Sequence, residues 1–507
     1  MTFNLGLNVV EVDGRVAPSI QAAPTSVAAF IVRAERGLEN EVYRLTNWSE
    51  YVEHFGSFMA GAFGAYAVRG FFDNGGSVAY VTRVMDTATA AAATVDLDGG
   101  GAAALSVTAG YRGEEDPGTW GNNIAIQIRE NSEDTNAYDL LVHHNGFVVE
   151  TWGNLNLGGT AQQNPATVIN DEFSGSKYII VEVPVDVTVN PDETVDADDN
   201  VVPVLLANGA DGPLTGTDLQ NALAGALSRF DIYDVQLVCS PENDETDADT
   251  AVFANAALTY CAARGDCMFV GHTPFNQDAA ATKAYGKEFQ GDKVYGALYF
   301  PWIRVADPIG TQKWIPPTGH IMGVYARTEQ ERGIWKAPAG NAARVNNALD
   351  IQHQITSAVH TDLVKNGSVN AVRYIPGQGI VIDSSRTLST NPIWLYVNVR
   401  LLFNFVKSSL MSGLRWVVQE PNDQTLWNKA KFNSINPFLM GLWRRGAFGA
   451  GLPEEVFTVK IDNENNSAAS IQQGILNIEV YFYPVRPAET IVITVGQQES
   501  GAFASES

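Results

Sequence analysis

From Gly209 to Phe300, short apolar runs alternate with helical patterns, and that alternation limits the fold more than any other feature of the chain. Strands are expected at Val235–Cys239, Cys267–Gly271 and Val294–Phe300, with helices at Thr217–Phe230, Thr250–Arg264 and Asp278–Phe289. Parallel strands need crossovers of a dozen or more residues, usually helical, so this order implies a mostly parallel sheet covered by helices. Thr217-Asp218-Leu219-Gln220 reads as a capping box opening the first of these helices. Ser26 to Arg83 supplies further alternating elements: strand Val27–Arg33, a helix from Asn47 or Ser49 to Phe55, helix Ala62–Asn74 and strand Val78–Val84. Asn47 caps one helix and Asn74-Gly75-Gly76 stops the other.

Between these blocks the composition changes. Asp86 to Asp211 carries 21 acidic and 3 basic residues, net −18, whereas the remainder of a chain of net charge −25 carries only −7. Short alternating segments, Ile124–Ile128, Ala137–His143, Tyr178–Val183 and Val201–Leu206, point to a small all-β domain inserted at 87–206, solvated and separate. Asn190–Asn200 has the composition of a calcium loop but lacks its central glycine and terminal glutamate, so an acidic turn is the expectation. His143 and His144 face opposite sides of a strand and do not share a metal. The acidic balance makes nucleic acid a poor direct partner.

The stretch Ser385–Trp427 reads as a turn at Asn391-Pro392, a short apolar strand, an amphipathic helix stopped at Gly413, a buried strand and a turn at Pro421-Asn422-Asp423. Near the end, Leu476, Ile478, Val480 and Phe482 alternate with polar or tyrosine positions, as in a half-buried strand. Beyond Pro484 and Pro487, Ile491, Ile493 and Val495 form a second alternating run. Leu7 to Val12, with Val9, Val10 and Val12, is a comparable strand at the other end, separated from the body by Pro18 and Pro24.

Catalytic patterns are absent from the sequence. Neither Gly-x-Gly-x-x-Gly nor Gly-x-x-x-x-Gly-Lys-Ser/Thr follows a strand, and there is no Gly-x-Ser-x-Gly elbow. His353 and His360, seven apart, suit one face of a helix, and Gly271-His272-Thr273-Pro274 suits a turn after a strand. Cys239, Cys261 and Cys267 sit in apolar surroundings and read as core thiols. No cofactor or metal is expected. No run reaches the ~20 apolar residues of a membrane helix, and no secretory leader opens the sequence, so synthesis in the cytoplasm without membrane insertion is expected.

Several motifs in order resemble contractile tail sheath proteins, the subunits of phage tails and related injection systems. They are Asn208-Gly209-Ala210-Asp211-Gly212, Pro301-Trp302-Ile303-Arg304-Val305, the run Pro316 to Asn341, the whole of Ser385–Trp427, Phe438 to Trp443, Gly449 to Phe457 and Tyr483 to Glu489. The resemblance spans roughly residues 20–85 and 205–496 and leaves the acidic module unmatched. It implies a mixed α/β fold: an N-terminal arm (1–25), an α/β sheath domain (26–86 and 207–375), a C-terminal sheath domain (376–487) and a C-terminal strand arm with tail (488–507). The all-β insertion (87–206) is expected to face outward, because like-charged modules repel one another in a lattice.

The implied function is a helical homopolymer of stacked rings, held by donor strands, that surrounds an inner tube and contracts to drive it through a target envelope. Baseplate and terminator or cap proteins are the further implied partners. The places implied are the cytoplasm during assembly, then a virion tail or an injection particle, and one chain carrying both sheath parts disfavours the two-protein type VI arrangement. Lys407, Lys429, Lys431, Arg444 and Arg445 are candidates for contact with the tube. The competing readings are an α/β enzyme for a nucleotide or small molecule, and a non-contractile tube protein.

Overall fold

The computed structural model describes residues 20–243 and 251–490. The expected arm strands through Val9, Val10 and Val12 and through Ile491, Ile493 and Val495 lie outside these residues. The fold is mixed α/β. Eight strands form the central sheet in the order Tyr43–Leu45, Ala79–Arg83, Ala28–Val32, Leu237–Cys239, Met268–His272, Gly296–Phe300, Val369–Ile375, Gly379–Ile382. The six inner strands are parallel to one another and each edge strand is antiparallel to its neighbour. The edge hairpin Val369–Ile375/Gly379–Ile382 carries this sheet through residue 376.

The strand Ala28–Val32 shows why both faces are covered. Ala28, Phe30 and Val32 enter one hydrophobic core while Ala29 and Ile31 enter another, as the two-residue period of a strand requires. Helices Gly64–Asp73, Thr318–Arg332 and Val397–Gly413 contribute to the first core. Helices Gly216–Gly225, Val252–Arg264, Ala279–Glu288 and Ser357–Gly367 contribute to the second. All three cysteines are free and buried in these cores. Among the described residues no helix is long and apolar enough to cross a membrane.

The acidic segment has a third core of its own, between a sheet of Phe147–Leu155, Tyr138–His144, Ile124–Glu130 and Val204–Leu205 and a sheet of Ile179–Glu182, Ala102–Tyr111 and Thr94–Gly99. A short helix, Pro165–Ile169, interrupts the all-β pattern where Asn164 caps a proline-started turn. Ala210–Asp211 pairs with Ala90–Ala91 and closes the neck. In the acidic turn, Asp196 accepts from the amides of Asp198 and Asn200 and from the Asn200 side chain, so its carboxylate closes the loop itself.

Local readings differ from the structure in four places. The Gly216–Gly225 helix starts two residues early for the expected capping box, with Thr215 rather than Thr217 at the cap and no side-chain bond. Ile393 to Val397 is not a strand: Pro392 to Trp394 form a turn and only Tyr396 makes a bridge, to Arg386. Leu414 to Val418 is not a buried strand but a 3-10 turn, Arg415–Val417, with Val418 exposed. His353 precedes the Ser357–Gly367 helix and stacks on Phe300, so it does not share a helical face with His360.

Candidate functional site

The Val397–Gly413 helix organises the C-terminal part of the chain. Its apolar residues Val397, Leu401, Leu402, Phe405 and Val406 are buried against the first core. Arg400 is buried as well, its guanidinium carbon 4.0 Å from the ring centres of both Tyr295 and Trp394. Burial pushes this guanidinium down to about 10, with Tyr295 opposing. Stacking between two rings is how a guanidinium, more weakly hydrated than an ammonium, is held away from water.

Both ends of the described chain are fastened to this helix. The Ala23 amide donates to Ser409 Oγ at 3.0 Å, and Ile20 lies over Gly413. A Cβ on Gly413 would stand 2.7 Å from Ile20 Cγ1, so the missing side chain makes the seat for Ile20. Sequence reasoning saw Gly413 only as a helix stop. At the other end Asn398 Nδ2 donates to the Val485 carbonyl at 3.1 Å. Four residues further on, Glu489 forms a two-pronged pair with Arg386, at 2.8 and 2.5 Å.

Between these anchors lies a small antiparallel sheet, Phe457–Lys460 with Glu479–Phe482, in the register Phe457↔Phe482 to Lys460↔Glu479. Among the described residues it has two strands only. Such a pair is marginal alone. Here Phe482 stacks on Phe403 of the helix at 4.2 Å and packs against Phe448 at 5.2 Å. The first strand begins directly after the Pro453–Val456 turn, whose Glu455 bonds back to the Leu452 amide.

Ile478, Val480 and Phe482 form one wall of an open apolar groove of about 650 Å³. Leu410, Met411 and Leu414 line the same groove. Met411 is 67% and Val418 68% exposed there, unusual for large apolar groups.

Four of the five basic candidates each have their own local neighbour. Lys407 Nζ points at the carbonyls of Arg264 and Gly265, 3.5 and 3.4 Å away, where the Val252–Arg264 helix ends and a cation is favoured. Lys429 lies over Trp416 and Lys431 over Phe432. Both occupy a π-helical turn, Lys429–Ile435, that runs into the Asn436–Arg444 helix where Pro437 has no N–H to give. Arg444 is exposed, and Arg445 lies over Trp335.

The enzyme-like position His272 is fully enclosed, edge-on to Trp302, and burial pushes its imidazole down to about 4. It does not line this groove.

Two family models match consecutive parts of the chain. Residues 212–388 match the family model of the phage tail sheath protein central domain, and residues 389–498 match that of the phage tail sheath C-terminal domain. A putative prophage major tail sheath protein of Pseudomonas aeruginosa (strain UCBPP-PA14) is 24% identical over 321 residues, covering 62% of this chain and 76% of that protein. The tail sheath protein of Salmonella phage ViI is 28% identical over 197 residues, 38% of this chain but only 30% of the relative's own length.

Among solved structures, the anti-feeding prophage helical sheath in its contracted state superposes with a TM-score of 0.59 at 20% identity, covering 98% of this chain and 100% of that one. A sheath tail protein of Listeria innocua gives 0.61 at 14% identity, covering 88% and 90%. At these identities the structural likeness speaks to the fold.

Proposed function

The chain belongs to the phage tail sheath family, and from that premise we propose that it is the repeating subunit of a contractile sheath. In this reading it polymerises around an inner tube in a metastable extended state and contracts to drive the tube forward. It meets copies of itself, the tube protein, and baseplate and terminator proteins, and it performs no catalysis. The observation that carries the proposal is the two-stranded sheet beside an apolar groove, flanked by the two points where the chain ends are fastened to one helix.

A strand from a neighbour would complete this sheet by backbone hydrogen bonding, which needs little sequence beyond alternation. Val9, Val10 and Val12 on one arm and Ile491, Ile493 and Val495 on the other supply that alternation. With roughly 4–6 bonds of about 0.5–1.5 kcal/mol each, one arm contributes several kcal/mol before its ordering cost. Joined strands and bending tethers let the bodies slide past each other without dissociation. A better-packed second arrangement of the bodies supplies the drive, with no nucleotide consumed. Lys429, Lys431, Arg444 and Arg445 are the cations offered to the tube, and Lys407 is occupied locally.

Negative-stain microscopy of the purified chain tests the proposal: striated tubes of fixed diameter support it, and monodisperse globules overturn it. Removing residues 1–20 or 488–507 should leave a folded protein that forms no tubes. Truncated chains that polymerise normally would sink the donor-strand mesh.

A further inference from the structure

A second cavity, of about 750 Å³, lies between the end of the Thr318–Arg332 helix, the Ser357–Gly367 helix and residues 485–490. Its charge is opposite to that of the protein. In a chain with 57 acidic and 32 basic residues, Arg332, Lys336, Lys365, Arg386 and Arg486 all line this one space. The two carboxylates on its lining are already engaged, Asp383 with Arg373 and Glu489 with Arg386. Arg332, Lys336, Lys365 and Arg486 take part in no ion pair among the described residues. Lys336 donates to the Ala337 carbonyl at 2.9 Å, and burial, then the nearby Arg332, hold its ammonium below the usual range. Arg332, Lys336, Lys365, Arg386 and Arg486 outnumber the two carboxylates on the lining, Asp383 and Glu489, so the space carries a net positive charge that favours anions.

We propose that this cavity receives a carboxylate-rich segment of a second copy of the chain. The space is far larger than one oxyanion, and is of the size that holds a short peptide or a sizeable ligand. The most abundant source of carboxylates in a homopolymer of net charge −25 per subunit is the neighbour. One wall of the cavity is the C-terminal tether itself, Val485 to Thr490, which in the reading above leads to an adjoining subunit. The inference therefore rests on that reading, and it adds an electrostatic contact distinct from strand pairing.

The test uses tubes grown from an equal mixture of unlabelled and ¹⁵N-labelled full-length chain, treated with a carbodiimide that condenses lysine amines with touching carboxylates. Lys336 or Lys365 should be linked to Asp or Glu of a differently labelled copy. Separately, the double variant Lys365→Glu/Arg486→Glu should lower tube yield about tenfold at low salt with an unchanged melting temperature, while Lys365→Arg/Arg486→Lys keeps the yield. Tubes that carry only same-copy links, or none at these lysines, overturn the assignment while leaving the sheath reading intact. So does a charge-reversed chain that assembles normally. Stoichiometric binding of orthophosphate to the monomer, lost in the reversed variant, would make this a small-anion site and overturn it as well. Failure of the unmodified chain to form tubes removes the sheath reading and this inference together.

Discussion

The neck of the acidic module and the anchorage of the two chain ends both fasten distant stretches of sequence, but by opposite means. At the neck, the enclosed carboxylate of Asp116 accepts from Arg36 Nε at 2.8 Å and from the Gly37 amide at 2.7 Å, with Arg83 3.7 Å away. Arg83 also donates to the carbonyls of Gly37 and Pro117, and Arg36 lies 3.9 Å from the ring centre of Trp120. The side chains of all three charged residues are 7% exposed or less.

The ends are held by a partly exposed Arg386–Glu489 pair, one hydroxyl, one amide side chain and one isoleucine. A carboxylate shared by two enclosed guanidinium groups cannot be loosened without leaving charge uncompensated. A solvent-screened pair can open at little cost. The module, though its charge marks it as separate, is tied to the body by contacts that are costly to break. The anchors of the ends resist release less.

The largest effect is expected where the neck is broken. Asp116→Ala leaves Arg36 and Arg83 facing each other in an enclosed site, and should cost about 3–5 kcal/mol. Calorimetry should show a lowered melting transition, and hydrogen exchange should rise at residues 36–37 and 116–120. A loss below about 1 kcal/mol would mean that the neck is no firmer than the ends.

At the N-terminal anchor a smaller effect is expected. Gly413→Val puts a branched side chain into the seat of Ile20 and should cost about 1–3 kcal/mol, the usual range for overpacking. Its mark is local: protease cleavage near residues 20–25 should quicken while the module's peptides stay protected. Equal cleavage in the variant and the parent would show that Ile20 is not what holds this end.

The contrast was only half legible in the sequence. Alternation of strands and helices from Gly209 gave the parallel sheet, because crossover connections and two-faced burial leave few other solutions. The charge of residues 86–211 marked the module, since surface composition is a property of a segment. Asp116 could not be picked out among 21 acidic residues, because its partners Arg36 and Arg83 lie some 80 and 33 positions away and only the fold brings them together. Leu414 to Val418 looked like a buried strand from its apolar residues, but the chain turns there and leaves Val418 at the groove. Gly413 carried two meanings, a helix stop and a seat, and only the first is local.

The smallest effect belongs to the C-terminal anchor, and acid isolates it. Glu489 is held below its ordinary carboxylate range, first by hydrogen bonding to Arg386; burial opposes this, and the charge of Arg386, a hydrogen bond from Tyr396 and the charge of Lys365 add to the lowering. A carboxyl group whose folded value is depressed stabilises the anchored state fully above its unfolded value, near 4.5, and loses that contribution as pH falls through the folded value. Because the pair is partly open to solvent, its worth is about 0.2–1 kcal/mol. Hydrogen-exchange protection at residues 485–490, corrected for intrinsic rates, should be constant from pH 8 to about 5 and fall below about 4. Arg386→Ala should lower protection at neutral pH to the acid level of the parent and flatten its pH dependence. Protection at these residues that is flat with pH in the parent and unchanged by Arg386→Ala would overturn this assignment and leave the anchorage to Asn398 and the Val485 carbonyl, which do not titrate.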